Sequence, residues 1–502
     1  MARTVNLTAH DGSTIQYVDE MIGSGGMKDV YFSPDRKYVV AFFRDKQDAN
    51  ARDRLLNLVG PYREKIFNGT VGDYWQKLYC WPTKIVEHKG RVGLVAPAYQ
   101  KHFFFDFGSK NNDMLKIKGK EKEGKWFASA SNQNKFLDPR EKGNWLSYFR
   151  ICILVSRAVR RLHAAGLAHS DLSYKNVLVD PSGGNACIID IDGLVVPGKY
   201  PPDVVGTPDF IAPEVFATKN LKKGDPARKL PSILTDRHAL AVIIYMYLLY
   251  RHPLRGGKIH DMEAQKDEEL SMGAKALFVE HPTDLSNRPN LKQVKSSYLP
   301  WADVGAIPFT VTGPYLKILF EKAFIAGLHD PQVRPTADEW EQALVKTIDL
   351  MHPCSNGTCA QKWFIADLNG ESRCPFCRTP VKEVVPILEF FSFRGAGKSV
   401  PDNHRLVVYS NLYLYQWHIN RHVFPNEKLT EPQRKPAGYF VRHEGKWLLI
   451  NQAIPILKEL VSGQEVLPGG NLELQEGQQL LFSEEDGARM FVVQMQQKQI
   501  SA

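Results

Sequence analysis

Residues 169–176 read His169-Ser170-Asp171-Leu172-Ser173-Tyr174-Lys175-Asn176, and nineteen residues past Asp171 comes the run Ile188-Ile189-Asp190-Ile191-Asp192-Gly193. The first stretch follows a segment, residues 145–165, whose apolar spacing is helical. An Asp and an Asn at this spacing, on a loop after a helix, suit phosphoryl transfer. The Asp can orient an attacking hydroxyl and accept its proton, and the Asn amide oxygen can hold a metal ion beside phosphates. An Asp closing a short apolar strand can aim a carboxylate at Mg²⁺, a hard cation that takes oxygen ligands. Alone, each motif is an ordinary acidic turn; the spacing between them carries the reading.

Upstream, residues 14–43 pattern as strand, Gly-rich turn, strand, tight turn at Pro34-Asp35 and strand. Residues 47–66 look helical, with a break at Gly60-Pro61, and strands over 83–87 and 92–97 flank a His88-Lys89-Gly90 turn. Residues 105–142 are polar and rich in Lys, Asn and Gly. They read as a mobile surface loop carrying Lys110, Lys116, Lys118, Lys120, Lys122 and Lys125. Downstream, mostly helices run to about residue 351. A β-rich lobe before a helical one, with Gly-rich and acidic motifs near the junction, predicts a nucleotide cleft between them.

These loops resemble the catalytic and metal-binding loops of the protein kinase superfamily. Gly206-Thr207-Pro208-Asp209-Phe210-Ile211-Ala212-Pro213-Glu214 resembles the end of a kinase activation segment. Asp236, opening an apolar helix through Tyr250, is similar to the start of the central C-lobe helix, and Arg334 to the arginine that pairs with Glu214. The resemblance spans about residues 15–348. It implies an α+β, bilobal protein kinase fold over residues 1–350, with an N-lobe of about 1–99 and a C-lobe of about 100–350. It also implies transfer of the ATP γ-phosphate to a protein hydroxyl, with Ser/Thr favoured and Tyr left open. Asp171 is then catalytic, with Asn176 and Asp190 as ligands of Mg²⁺ (or Mn²⁺). Lys175 would stand in for the lysine that Ser173 replaces. Val30 and Ala41 would line the nucleotide. The hinge would be Ala96-Pro97-Ala98-Tyr99, with adenine on the backbone of Ala96 and Ala98. Ala98 is the expected donor, because Pro97 has no N–H.

The sequence also departs from that family. Asp192 stands where the metal motif has Gly, and Ile191 where it has Phe; Asp192 reads as a second metal ligand or as a solvated turn acid. Ser170 replaces the arginine that pairs with a phosphorylated loop, and Tyr200 is the only hydroxyl between Gly193 and Gly206. Activity independent of Ser/Thr phosphorylation in that loop is therefore expected.

The largest departure concerns the cation that kinases place on the α- and β-phosphates. Phe43 occupies its usual position on the third strand, and alternation should turn the neighbouring Arg44 to the opposite face. The Gly-rich loop reads Gly23-Ser24-Gly25-Gly26-Met27-Lys28-Asp29-Val30-Tyr31. A vacant third-strand position with a lysine in this loop is similar to the With-No-Lysine kinases. The resemblance implies that Lys28 enters the phosphate site and that Gly23, Ser24, Gly25 and Gly26 bring backbone amides to phosphate oxygens. Glu64, on the helix after the third strand, would orient Lys28. The opposing reading is a solvent-facing Lys28 on a nucleotide-binding pseudokinase scaffold that recruits partners through its C-terminal domains.

Four of the seven cysteines form two pairs, Cys354-x₄-Cys359 and Cys374-Pro-Phe-Cys377. Paired thiolates on two turns suit a closed tetrahedral Zn²⁺ site, and residues 351–382 resemble a zinc ribbon. Cys80, Cys152 and Cys187 read as reduced core thiols. Residues 383–502 read as an all-β, sandwich-like domain. Residues 445–451 and 469–477 faintly resemble the second half of a forkhead-associated domain, without its Arg and Ser ligands. Gly395-Ala396-Gly397-Lys398-Ser399 resembles a Walker loop, but Ser392 stands where its first Gly belongs. The kinase–ribbon–β layout resembles kinases of tellurium-resistance-associated phosphorylation systems, implying a von Willebrand A-type protein and a PP2C-type phosphatase as partners. Net charge is +9, and the composition, 43% hydrophobic and 24% charged, is that of a globular chain. The N-terminus lacks an apolar signal core, and the longest apolar run, residues 239–250, is too short to span a bilayer. A cytoplasmic protein without membrane or nucleic-acid partners is expected.

Overall fold

The computed structural model describes residues 3–24, 27–196, 199–200, 206–222, 224–368, 370, 372–393 and 399–496. They form two compact units: Met1–Gly143 with Ser147–Phe309 and Ile318–Glu341, and Asn144–Leu146 with Thr310–Lys317 and Gln342–Ala502. Residues 351–382 and 383–502, expected as separate domains, fall within the same unit. There Leu350, Ala366, Val385 and Val407 share one apolar cluster with Tyr315, which ties the cysteine-bearing segment to the β-rich tail.

The first unit opens with a hairpin of β1 (Thr4–Thr8) and β2 (Thr14–Val18), turned where Gly12 takes φ +81°. A five-stranded antiparallel sheet follows, in the order β3-β4-β5-β7-β6: β3 Met21–Ser24, β4 Lys28–Phe32, β5 Tyr38–Phe43, β6 Lys84–His88 and β7 Arg91–Pro97. Its strands are rich in β-branched and aromatic residues, which pack well on a pleated surface. Tyr17, Tyr31 and Phe42 meet edge to face, with centroids 5.2–5.9 Å apart. The turn between β6 and β7 falls at Lys89 and Gly90, both at positive φ, as the sequence suggested.

The helix Ala49–Asn57 is capped by the Asp48 carboxylate, which accepts from the Ala51 N–H at 2.8 Å. It breaks where expected. Gly60 leaves helical space (φ −103°, ψ −106°), and Pro61 cannot donate to the preceding turn. A short helix, Arg63–Phe67, resumes beyond the break.

Residues 105–142 do not form a surface excursion. Phe105, Phe127 and Leu137 are buried, and so is Lys122, whose Nζ lies 3.2 Å from Glu141 and 3.7 Å from Asp180. Glu141 in turn accepts from the N–H of Phe107 (2.5 Å) and of Gly108 (3.1 Å). The segment packs because its widely spaced aromatics find the core, while Lys116, Lys118 and Lys120 stay exposed.

The helical region centres on Ile233–Leu249, apolar all round and therefore buried on every face. Tyr245 meets Phe278, Phe320 and Phe324 edge to face at 5.3–5.8 Å. The helix Trp145–Ala164 and the hairpin of β8 (Val177–Asp180) and β9 (Asn185–Ile188) flank the loop at 169–176. Among the described residues, no helix is long and apolar enough to cross a membrane.

In the second unit β10 (Met351–Pro353) pairs with β11 (Trp363–Ile365). Seven further strands of two antiparallel sheets are β12 (Val385–Phe393), β13 (Ser399–Val407), β14 (Tyr413–Leu414), β15 (Gly438–His443), β16 (Lys446–Asn451), β17 (Lys458–Glu459) and β18 (Asn471–Glu473). β19 (Gln479–Leu481) and β20 (Arg489–Gln496) complete them, in the orders β13-β12-β20-β19-β17 and β14-β15-β16-β18. Both sheets feed one core, including Leu388, Phe390 and Phe491 from the first and Phe440, Leu449 and Leu472 from the second. Residues 395–398 of the Walker-like stretch lie outside the described residues. Ser399 opens a strand, so no helix follows as that loop requires.

Candidate functional site

Lys28 begins β4, and its cross-strand partner on β5 is Phe43. Residues directly opposite in an antiparallel pair project from the same face. Lys28 therefore stands on the face that position 43 presents, one strand over. Its Nζ lies 5.3 Å from the Phe43 ring centroid, 3.2 Å from Asp190 Oδ1 and 2.6 Å from Asp192 Oδ1. Arg44 pairs with Asp29 at 2.9 Å, where Arg91 also binds at 2.6 Å.

The lysine and the two acids shift one another. Burial works against the Lys28 charge, but Asp192 and Asp190 outweigh it and raise the amine. The protein packed around Asp190, aided by the charge of Asp192, pushes its carboxyl up although the side chain is half exposed. Asp192 is buried too, yet Lys28 holds its carboxyl below the usual range. Asp190 itself sits at φ 57°, in the left-handed region, at the end of the β9 segment.

Asp236 fixes the catalytic-type loop from below, accepting from the N–H of His169 (2.7 Å) and of Ser170 (3.1 Å). These bonds hold Ser170 at φ 70°. His169 Nε2 lies 3.0 Å from the Ile189 carbonyl, which links this loop to the one bearing Asp190. Asp171 Oδ1 accepts from both the N–H (2.7 Å) and the hydroxyl (2.8 Å) of Thr207. Asn176 Nδ2 donates to the Asp171 carbonyl (2.8 Å) and to Oδ2 (3.1 Å). With its NH₂ so used, the Asn176 side-chain oxygen remains an acceptor for a cation. Arg334, almost wholly buried, makes the expected forked pair with Glu214 at 2.7 and 2.9 Å.

Several expected residues sit elsewhere. Glu64 is exposed, because the Gly60–Pro61 break precedes its short helix; the carboxylates on Lys28 are Asp190 and Asp192. The Ala98 N–H donates to the Lys37 carbonyl at 3.0 Å and is already used, which corrects its reading as the adenine donor. Lys175 is exposed, and the side chain bonded to Asp171 from the activation segment is Thr207. Asp192 is neither solvated nor a bystander: its side chain is 15% exposed. Val30 and Ala41 are register partners on β4 and β5, as are Ala96 and Val39 on β7 and β5. Gly23 and Ser24 end β3, whereas Gly25 and Gly26 lie outside the described residues. Two contacts escaped the sequence reading: the Thr207 bonds to Asp171 and the Asp192 bond to Lys28. The signal for Thr207 was its place after Gly206 in a recognised segment. The signal for Asp192 was the very departure from Gly.

Asp190 and the Asn176 oxygen are hard donors and fit Mg²⁺; Asp192 is set back against the Lys28 amine. In the second unit the four Sγ atoms of Cys354, Cys359, Cys374 and Cys377 lie within 4.8 Å of one another, with Cys354–Cys377 at 3.5 Å and Cys359–Cys374 at 3.9 Å. Zn–S bonds of about 2.3 Å place tetrahedral sulfurs about 3.8 Å apart, so the four thiols fit that ion. Lys362 and Arg378, each at positive φ, close the two cysteine turns.

Residues 123–343 match the family model described as protein kinase domain. The chain is 35% identical over 102 residues to death-associated protein kinase dapk-1 of Caenorhabditis elegans, covering 20% of this chain and 6% of that protein. It is 34% identical over 126 residues to human serine/threonine-protein kinase H1, covering 21% and 27%. It is 26% identical over 268 residues to serine/threonine-protein kinase PknD of Chlamydia pneumoniae, covering 47% and 24%. The chain thus spans about a quarter or less of the length of these relatives. The kinase domain of a Toxoplasma gondii specific rhoptry antigen aligns with 69% of this chain and 86% of its own at TM-score 0.39 and 13% identity, too weak a likeness to carry an argument. The family match takes in Asp171, Asn176, Asp190, Glu214 and Arg334 and supports a protein kinase domain. It begins after the glycine-rich loop, so it is silent on Lys28.

Proposed function

We propose that the chain is an ATP-dependent protein kinase, one that transfers the γ-phosphate to a serine or threonine hydroxyl of a protein and draws its phosphate-binding lysine from β4. The observation that carries this reading is the Lys28 amine 3.2 Å from Asp190, on the sheet face that Phe43 presents. Asp171, oriented by Thr207 and Asn176, takes the proton of the attacking hydroxyl. Lys28 and the amides of the glycine-rich loop hold the nucleotide phosphates. Asp190 and Asn176 would hold Mg²⁺, which supplies neutralisation of the charge on the transferred phosphoryl group. The Tyr99 amide, next along the hinge from the engaged Ala98, receives adenine. The names of two of the relatives specify serine/threonine kinases, which favours those hydroxyls over tyrosine. The layout further supports a system in which the chain acts with a von Willebrand A-type protein and a PP2C-type phosphatase.

Transfer from radiolabelled ATP tests this reading. Lys28→Ala and Asp171→Ala should each lower transfer by about a hundredfold or more, the scale of losing a transition-state contact. Arg44→Ala, whose guanidinium pairs with Asp29, should stay within a few-fold of wild type. An Arg44→Ala loss matching that of Lys28→Ala would overturn the placement of the cation. A wild type that transfers nothing to any protein, itself included, would overturn the activity.

A further inference from the structure

Asp192 occupies a position where the resembled family carries glycine, and neither a second metal ligand nor a solvated turn acid describes what it does here. Its Oδ1 is the nearest acceptor to Lys28 Nζ, at 2.6 Å against 3.2 Å for Asp190. Its side chain is shielded, at 15% exposure, while that of Asp190 is 54% exposed. Asp190 is thus the acid open to an incoming cation, and Asp192 the one set back against the lysine. The acid expected from the helix side, Glu64, lies exposed beyond the Gly60–Pro61 break.

We infer that Asp192 is the residue that positions Lys28, doing from the metal-binding loop what a helix glutamate would otherwise do, and so freeing Asp190 for the metal. This rests on the proposed placement of Lys28 at the phosphates. With nucleotide and metal bound, Asp190 would serve the cation and leave the amine to Asp192. Asp192 retains its bond, so the amine stays directed at the phosphates instead of swinging into solvent. Placing the positioning acid two residues from the metal ligand also couples the two. The lysine is oriented only when the 190–193 turn is formed.

The test is a double-mutant cycle on the full chain, read as affinity for ADP with Mg²⁺ by displacement of a fluorescent nucleotide. Asp192→Asn keeps the shape of the side chain and removes its charge. It should weaken binding by about tenfold, close to the effect of Lys28→Ala, and add less than about twofold in the Lys28→Ala background. Asp192→Ser should behave alike if Asp192→Asn fails to fold. The Mg²⁺ concentration giving half-maximal binding should move less than about twofold with Asp192→Asn, and by about tenfold or more with Asp190→Asn. Additive losses would show that Asp192 acts apart from Lys28 and overturn the inference. So would a shift in Mg²⁺ requirement as large as that of Asp190→Asn, since it would make Asp192 a ligand. Because the cycle reads binding, a chain that binds nucleotide but transfers no phosphate fails the kinase reading while leaving this one decided.

Discussion

Lys122→Met is the perturbation that most sharply separates the structure from the composition of its segment. Lys122 is one of six lysines between residues 110 and 125, and its side chain is 3% exposed against 2% for Glu141 and 7% for Asp180. Methionine fills much the same volume but strands two buried carboxylates. Removing one member of a buried ion pair costs about 3–5 kcal/mol, because the remaining charge is left without a partner. Asp180 accepts from the Gly183 N–H and the Asn185 amide, and Glu141 from two backbone N–H groups, so neither carboxylate can swing out to water. The upper half of that range is therefore expected. Lys120→Met, at an exposed neighbour, should stay within about 0.5 kcal/mol of wild type. Glu141→Gln added to Lys122→Met should recover about 1 kcal/mol or more, since the glutamine oxygen still accepts both N–H groups while one stranded charge is gone. Urea unfolding of the full chain, followed alongside calorimetry to separate the transitions of the two units, measures all three. A loss below about 1 kcal/mol for Lys122→Met, or one equal to that of Lys120→Met, would refute the buried triad and return the segment to the surface.

The purified chain should carry one zinc ion per molecule, resistant to dialysis against chelator at neutral pH. Cys374→Ser should lose it together with the ordered transition of the second unit, because the metal supplies much of the folding free energy of so small a segment; metal analysis and calorimetry check both. His252 is held neutral: burial, against the opposing charge of Asp209, pushes its imidazole down to about 4 from the usual 6.5. The unfolded chain therefore takes a proton that the folded chain refuses. The His252 contribution is full above pH 6.5 and is lost as pH falls through 6.5 toward 4, by about 2 kcal/mol at pH 5. His252→Gln should flatten the fall in urea midpoint between pH 7 and pH 5, and an unchanged slope would remove His252 as its source.

The regions of the fold written in short-range patterns were legible. The loop at 169–176, the activation segment through Glu214, the apolar helix after Asp236 and the cysteine pairs each declare themselves through residue type at fixed spacing. The Glu214–Arg334 pair, 120 residues apart, was readable only because both partners lie in recognised segments. What stayed hidden depended on three-dimensional accounting. Composition cannot tell which of six lysines is buried, since the answer lies with Glu141 and Asp180. Nor could the reading of the hinge foresee that the Ala98 N–H faces the Lys37 carbonyl, a contact made by the β4–β5 turn. Glu64 was plausible at its distance in sequence, and the break at Gly60–Pro61 was itself foreseen. What could not be foreseen was the direction in which the shorter helix then carries its side chains.

The break and the lysine placement make sense together. A lysine on β5 would rely on a continuous helix packed behind the sheet to bring a glutamate within reach. With that helix interrupted, a β5 lysine would have lost its orienting acid. Moving the amine to the cross-strand position keeps it on the same face, because Lys28 and Phe43 are register partners, and shifts its origin by about one strand spacing, about 4.8 Å. From there the 190–193 loop is the nearest source of carboxylate, and glycine at 192 would offer none. Phe43 then fills the space beside the lysine stem, with its ring face available to the ammonium. On the proposed placement of Lys28, residues 28, 43 and 192 form one arrangement. Altering any one alone should fail: Phe43→Lys would crowd a second cation against the first, while Asp190 and Asp192 are both already engaged by Lys28.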